Sequence, residues 1–157
     1  MMKQGIPLAL ALALGAGPLA AAGDRPEDAA GLFPYWDDAA VEQGAALYAE
    51  NCAACHGAAL EGEADWRGRR DDGGFRAPPH DETGHTWHHA DAQLFAITKH
   101  GTEVVTGGAV VSDMQGFGEL LSDEEILAVL AYIKAQWPEE IIARHNELNR
   151  RFEEQQN

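Results

Sequence analysis

Apolar residues recur at three- and four-residue spacing in four stretches of the chain, and no stretch shows the alternation of a strand. The first helix begins near Asp38. Val41, Gly44, Leu47, Tyr48 and Cys52 share one face, and the helix runs straight into two cysteines. Residues 90–100, ADAQLFAITKH, form the second, with Ala90, Leu94, Ile97 and Thr98 aligned and Gly101 as the stop. The third starts at Ser122-Asp-Glu-Glu125, a capping box in which serine and glutamate side chains satisfy N-terminal N–H groups. Ile126, Leu127, Leu130, Ile133 and Trp137 follow on its face, and Pro138 ends this helix or starts the next. In the tail, Ile141, Ile142, His145, Leu148 and Phe152 make a stripe that either packs on the domain or pairs with another chain; packing is the expectation. The class is all-α, without internal repeats.

Between these elements the pattern fails. Residues 57–86 are rich in Gly, Pro, Asp and Arg and read as loop. So long an irregular segment in a compact domain is usually functional or wrapped around something. A second irregular stretch, residues 104–121, is centred on Met114. Residues 24–38, DRPEDAAGLFPYWDD, read as an extended leader whose Pro34, Tyr35 and Trp36 pack on the domain without a regular element.

The first 22 residues are of another kind. A mildly basic MMKQ precedes an apolar, uncharged run ending in Ala20-Ala21-Ala22, the layout of a secretory signal with a small-residue cleavage site. The run is short for a spanning helix, and Pro7 and Pro18 interrupt it, so a retained anchor is disfavoured. The expected division is a signal peptide at 1–22, a leader at 23–37, the main domain at 38–137 and a helical extension at 138–157. The expected location is the periplasm, with no stable membrane span after cleavage.

The net charge of −15 disfavours nucleic acid and anionic lipid as partners, since both require clustered Lys and Arg. It suits docking to a basic patch on another protein, or serves solubility alone.

Export makes the two cysteines informative, because thiols outside the cytoplasm tend to be oxidised. They lie in Cys52-Ala-Ala-Cys55-His56. A redox dithiol of the thioredoxin kind needs a βαβ setting that this chain lacks. A zinc site needs a second ligand pair, and the nearest, His85 with His88 or His89, begins 30 positions after Cys55. A disulfide within one helix is sterically awkward and leaves His56 unused. The fourth reading employs all three residues: Cys-x-x-Cys-His is the attachment sequence of c-type haem. Two thiols on one edge add to the vinyl groups, and the next residue offers its imidazole to the iron. One covalent haem c is therefore the expected cofactor. An electron-transfer haem usually takes Met or His opposite the first His. Met114 is the one methionine beyond the signal, in a loop before a capped helix, and is the candidate second ligand.

In its order of pieces the chain resembles the class I (monohaem) cytochromes c: Gly44-x-x-x-Tyr48, then Cys52-Ala-Ala-Cys55-His56, then Ala77-Pro78-Pro79, then Asp113-Met114-Gln115-Gly116-Phe117, then LSDEEILAVLAYIKAQWP. The likeness covers roughly residues 38–137. It implies that the first and last helices of the domain cross where Gly44 meets Tyr132, beside Tyr48, because only glycine lets the backbones approach. It implies a proline carbonyl accepting the other imidazole N–H of His56, from Pro78 or else Pro79. It also favours a Trp or His near the haem propionates, and Trp87 fits. Three departures stand out: Gln115 occupies the place where many relatives have proline; His80 stands where relatives often carry leucine against the haem; and the loop before Pro78 is long, with an extra tail beyond Pro138.

The resemblance implies a one-electron carrier between a donor and an acceptor protein, not an enzyme. Two rivals remain. A haem enzyme requires an open iron position. A metal-handling or sensor protein would use His80, His85, His88 and His89, for which copper binding, propionate contacts, simple solvent exposure and ligation of the haem in place of Met114 are alternative readings. Arg67, Arg69, Arg70 and Arg76 either pair with propionates or with Asp71 and Asp72. Trp66 either covers the porphyrin edge or closes its loop.

Overall fold

The computed structural model describes residues 23–156; the expected signal segment lies outside them. Six α-helices follow in order: α1 (Asp38–Asn51), α2 (Ala53–His56), α3 (Asp91–His100), α4 (Thr102–Val105), α5 (Asp123–Ala135) and α6 (Glu139–Gln156), with a 3-10 turn at Thr86–His88. Among the described residues there is no strand, only the isolated bridges Arg69–Phe75 and Gly101–Gln115. No described helix is long and apolar enough to cross a membrane.

Local chemistry sets the helix ends. The Asp37 carboxylate caps α1 by accepting from Ala39 and Ala40 N–H. The Ser122–Glu125 capping box forms in full at the start of α5. Helix α3 ends at Gly101, whose φ of +86° suits a residue without a side chain. Beyond Gly101 the sequence pattern had not shown the one-turn α4.

α5 is the central element. It buries Ile126, Ala128, Val129, Leu130, Ala131, Ile133 and even Lys134, more than the single face that its apolar spacing marks. The reason is that both α1 and α3 pack on it, while the leader and α6 meet it at Lys134. The α1–α5 crossing is close. A Cβ on Gly44 would lie 2.0 Å from the Ala128 carbonyl oxygen and 3.0 Å from Tyr132 Cβ. The rings of Tyr48 and Tyr132 meet beside it, 5.4 Å apart.

The leader has no regular element, yet it is tied down. Phe33 and Ala30 are its buried residues, while Tyr35 and Trp36 are half-buried. Its anchor is Asp91, the buried first residue of α3. The Asp91 carboxylate accepts from Leu32 N–H at 2.6 Å, Phe33 N–H at 3.0 Å and the Asn149 amide at 2.8 Å. Asn149 returns the bond by accepting from Asp91 N–H at 2.8 Å. Lys134, also fully buried, donates to Asn146 Oδ1 at 2.8 Å and lies over the Tyr35 ring. Leader, α3, α5 and α6 thus share one polar core. Such burial is tolerated because nearly every group in it has a partner. On α6, Ile141, His145, Asn146 and Asn149 are buried, whereas the apolar stripe had included Ile142, Leu148 and Phe152, which are only half-buried.

Candidate functional site

The cysteine turn follows directly on α1. Helix α1 ends at Asn51, Cys52 caps it in a right-handed helical conformation (φ −118°, ψ −37°), and Ala53–His56 form a further turn. Two bonds fasten that turn: Cys52 N–H donates to Tyr48 O at 2.9 Å, and Tyr48 O–H donates to Gly57 O at 2.9 Å. The expectation that α1 runs straight into the cysteines is met. The motif thus sits on a turn fastened at both ends to α1.

Cys52 and Cys55 are both free, Cys52 half-buried and Cys55 exposed. Burial, and then the neighbouring Cys55, push the Cys52 thiol up to about 11. A redox dithiol needs a thiol shifted the other way. The upward shift thus does not favour an exchanging pair.

His56 is 7% exposed. Its Nδ1 lies 2.9 Å from Pro78 O. A carbonyl only accepts, so Nδ1 carries the proton and Nε2 keeps its lone pair. Burial lowers the His56 pKa, with the Pro78 bond and the Glu63 charge opposing. The outcome is a neutral, oriented imidazole with one free nitrogen, the form that ligates a metal. Pro79 takes another part: its carbonyl accepts from the Thr86 hydroxyl at 3.4 Å.

His80 lies flat on His56, ring centroids 3.9 Å apart and planes inclined by 22°. It is fixed on every side. Nδ1 bonds the Thr86 hydroxyl at 2.7 Å, its N–H donates to Leu60 O, and its carbonyl accepts the Trp137 indole N–H at 2.7 Å. Burial holds the ring well below the ordinary histidine range, with His56 and His85 adding to the effect. Sequence reasoning had grouped His80 with the later histidines; the departure from leucine at this position was the signal that it belongs with His56.

Met114 is half-buried and packs against the central core, as do Cys52, Ala53, Trp87 and Phe95. Its loop is zipped to the end of α3. Thr102 N–H donates to Met114 O at 3.1 Å, and Phe117 N–H and Gly118 N–H donate to Thr98 O and Lys99 O. Met114 N–H donates to Ser112 Oγ.

The later histidines cluster with one another rather than stacking on His80. His85 and His88 are exposed and His89 is half-buried; the His85 ring lies 6.4 Å from His88 and 5.0 Å from His89. Among the described residues no three His, Cys, Asp or Glu side chains converge to hold a metal ion. Trp87 stacks on His88 and donates its indole N–H to Glu82 O at 3.2 Å. Trp66 stacks parallel to His85 and lies under Arg67. Arg69 covers Phe75 and donates to Gly73 O, and Arg76 donates to Arg69 O. Arg70 pairs with Asp72 and with Asp113.

The donor set fits a haem. Two unpaired thiols stand on the same turn as an oriented imidazole, and Cys52 and Met114 both pack half-buried against the same hydrophobic core. A helical fold with that turn at its centre defines a c-type cytochrome. The family model described as "Cytochrome C oxidase, cbb3-type, subunit III" matches residues 39–133. The chain belongs to that family, has the all-α cytochrome c fold, and carries a covalently bound c-type haem with its iron. It is also similar to the cbb3-type cytochrome c oxidase subunit FixP of Sinorhizobium medicae (strain WSM419), 29% identical over 132 residues. That alignment takes in 83% of this chain and 42% of the relative, so the chain spans about two-fifths of that protein's length. No solved structure matches the chain.

Proposed function

We propose that the chain is an exported, periplasmic one-electron carrier whose haem iron is held by His56 and Met114. The observation that carries this reading is the His56 imidazole. It is buried, tied through Nδ1 to Pro78 O and free at Nε2, one residue after the second tether. When bound, the haem supplies a one-electron couple, and a thioether ligand raises its potential relative to bis-histidine ligation. The chain's own residues do the rest. Cys52 and Cys55 tether the ring, Pro78 fixes the His56 plane and raises its basicity, and the zipped loop after Gly101 presents Met114. Trp87 offers its ring, not its N–H, to the haem edge, because that N–H is already donated to Glu82. The apolar core excludes water, which keeps reorganisation small.

The partners are redox proteins. The family and its FixP relative are named as oxidase subunits, which favours an oxidase as electron acceptor. The −15 charge favours a basic docking patch on the partner. Stopped-flow oxidation of the ferrous protein by a cbb3-type oxidase tests this. The account expects one electron per haem at a rate that falls as salt is raised. Steady turnover of peroxide by the isolated protein would instead assign it to the haem enzymes.

A further inference from the structure

The long segment between His56 and Pro78 is an insertion by the standard of the resemblance, and its centre is built. Arg69 and Phe75 bridge, Arg70 N–H donates to Gly74 O at 2.9 Å, and Gly73 N–H returns to Arg70 O at 2.9 Å. Asp72 closes the turn by accepting from Gly74 N–H at 2.9 Å. This small hairpin aims the Arg70 guanidinium between two carboxylates, Asp72 and Asp113, leaving 25% of the Arg70 side chain exposed. Asp113 is the residue before Met114. A second bond runs parallel to the ion pair, from Phe75 N–H to Val111 O at 3.4 Å.

The other side of the Met114 loop shows why such a tie matters. From Met114 onward the chain is zipped to α3. Before it, Gly107, Gly108, Ala109 and Val111 are exposed, and Gly107 and Gly108 have left-handed φ. Gln115 also stands where a proline would stiffen the loop. Two ties reach this half from outside: the Glu103 carboxylate of α4, which accepts from Ser112 N–H at 3.3 Å, and the hairpin.

We propose that Arg70 is a positioning residue that latches the Met114 loop through Asp113, so that the inserted hairpin keeps the thioether on the iron. This rests on Met114 being the ligand. An exposed ion pair has a modest effect, so its loss should raise the open fraction of the loop about two- to fivefold.

Imidazole binding to the ferric holoprotein reads that fraction, since an added ligand enters only where Met114 has left and its apparent affinity scales with the competent population. Arg70→Gln should tighten imidazole binding about two- to fivefold. Asp113→Asn should do the same, and the double variant should do no more than either. Arg70→Lys should recover most of the wild-type value. Raising salt should move the wild type toward Arg70→Gln and leave that variant unmoved. Unchanged affinity in Arg70→Gln, or additive effects in the double variant, overturns the latch. The far-red charge-transfer band of a thioether-bound ferric haem separates the two levels. If the wild type shows it and Arg70→Gln still binds imidazole normally, the latch fails and the ligand stands. If the wild type lacks it and Met114→Ala changes nothing, both fall.

Discussion

His80 lies face to face with His56 at 3.9 Å, and its own backbone is bonded to Leu60 on one side and Trp137 on the other. The His56 imidazole is thus fixed by two independent contacts, the Pro78 carbonyl at its Nδ1 and a ring against its face. His80→Ala opens a void against His56 and should destabilise the holoprotein by about 2–4 kcal/mol. His80→Leu, the side chain relatives often carry, fills the space and should cost under about 1.5 kcal/mol. Denaturant unfolding followed by helical circular dichroism measures both. Equal losses for Ala and Leu would mean that the Thr86 bond, not the packing, is what matters.

Gly44→Ala tests the helix crossing. Alanine gains up to about 1 kcal/mol of helix propensity over glycine. Against this, its Cβ would stand 2.0 Å from the Ala128 carbonyl oxygen, which is backbone and cannot turn aside. The clash wins, and the net loss should be about 1–3 kcal/mol or more. A stabilised variant in thermal unfolding would contradict the close approach of α1 and α5.

Much of this was legible in the sequence, and the limits have physical causes. The α3 stop at Gly101 and the Ser122–Glu125 box are local chemistry, so they could be read from neighbours alone. The haem motif is likewise local. The polar core was not legible, because periodicity registers apolar side chains and the residues that bury on α6 include Asn146 and Asn149. Asn149 bonds to Asp91, 58 positions away, and Asn146 donates to the Tyr35 hydroxyl, 111 positions away; Asp91 in turn accepts from Leu32 and Phe33 N–H, 59 and 58 positions away. The Arg70–Asp113 pair joins two loops that each looked unstructured, and only their meeting shows that either is ordered.

The buried lysine predicts a pH dependence. Burial pushes Lys134 down from 10.5 to about 8, with the Asp91 charge opposing and Arg25 adding to the shift. A folded pKa below the unfolded one means that the unfolded chain binds more protons in this window, so stability rises with pH. The contribution is complete above 10.5 and is lost as pH falls through about 8. Unfolding free energy should therefore rise by about 1–3 kcal/mol between pH 8 and 10. Tyr48, whose pKa burial raises from 10.0, works against this only above that value. In Lys134→Met the rise should vanish; a rise that persists unchanged would assign it to another group.

Asp91→Ala removes the carboxylate that accepts from Leu32 and Phe33 N–H and leaves both without it. The loss should be about 3–5 kcal/mol, and limited proteolysis should then cut the leader first. Protection of the leader equal to wild type would show that Phe33 packing alone holds it.

The most direct test of the site is the visible spectrum of the purified holoprotein, ferric and ferrous, beside Met114→Ala. The account predicts haem that stays on the polypeptide after denaturation. It predicts a low-spin six-coordinate spectrum in both oxidation states for the wild type, with the thioether band in the ferric form. In Met114→Ala that band should be lost, high-spin character should appear, and the reduction potential should drop. An unchanged low-spin spectrum in Met114→Ala would contradict the ligation of iron by Met114.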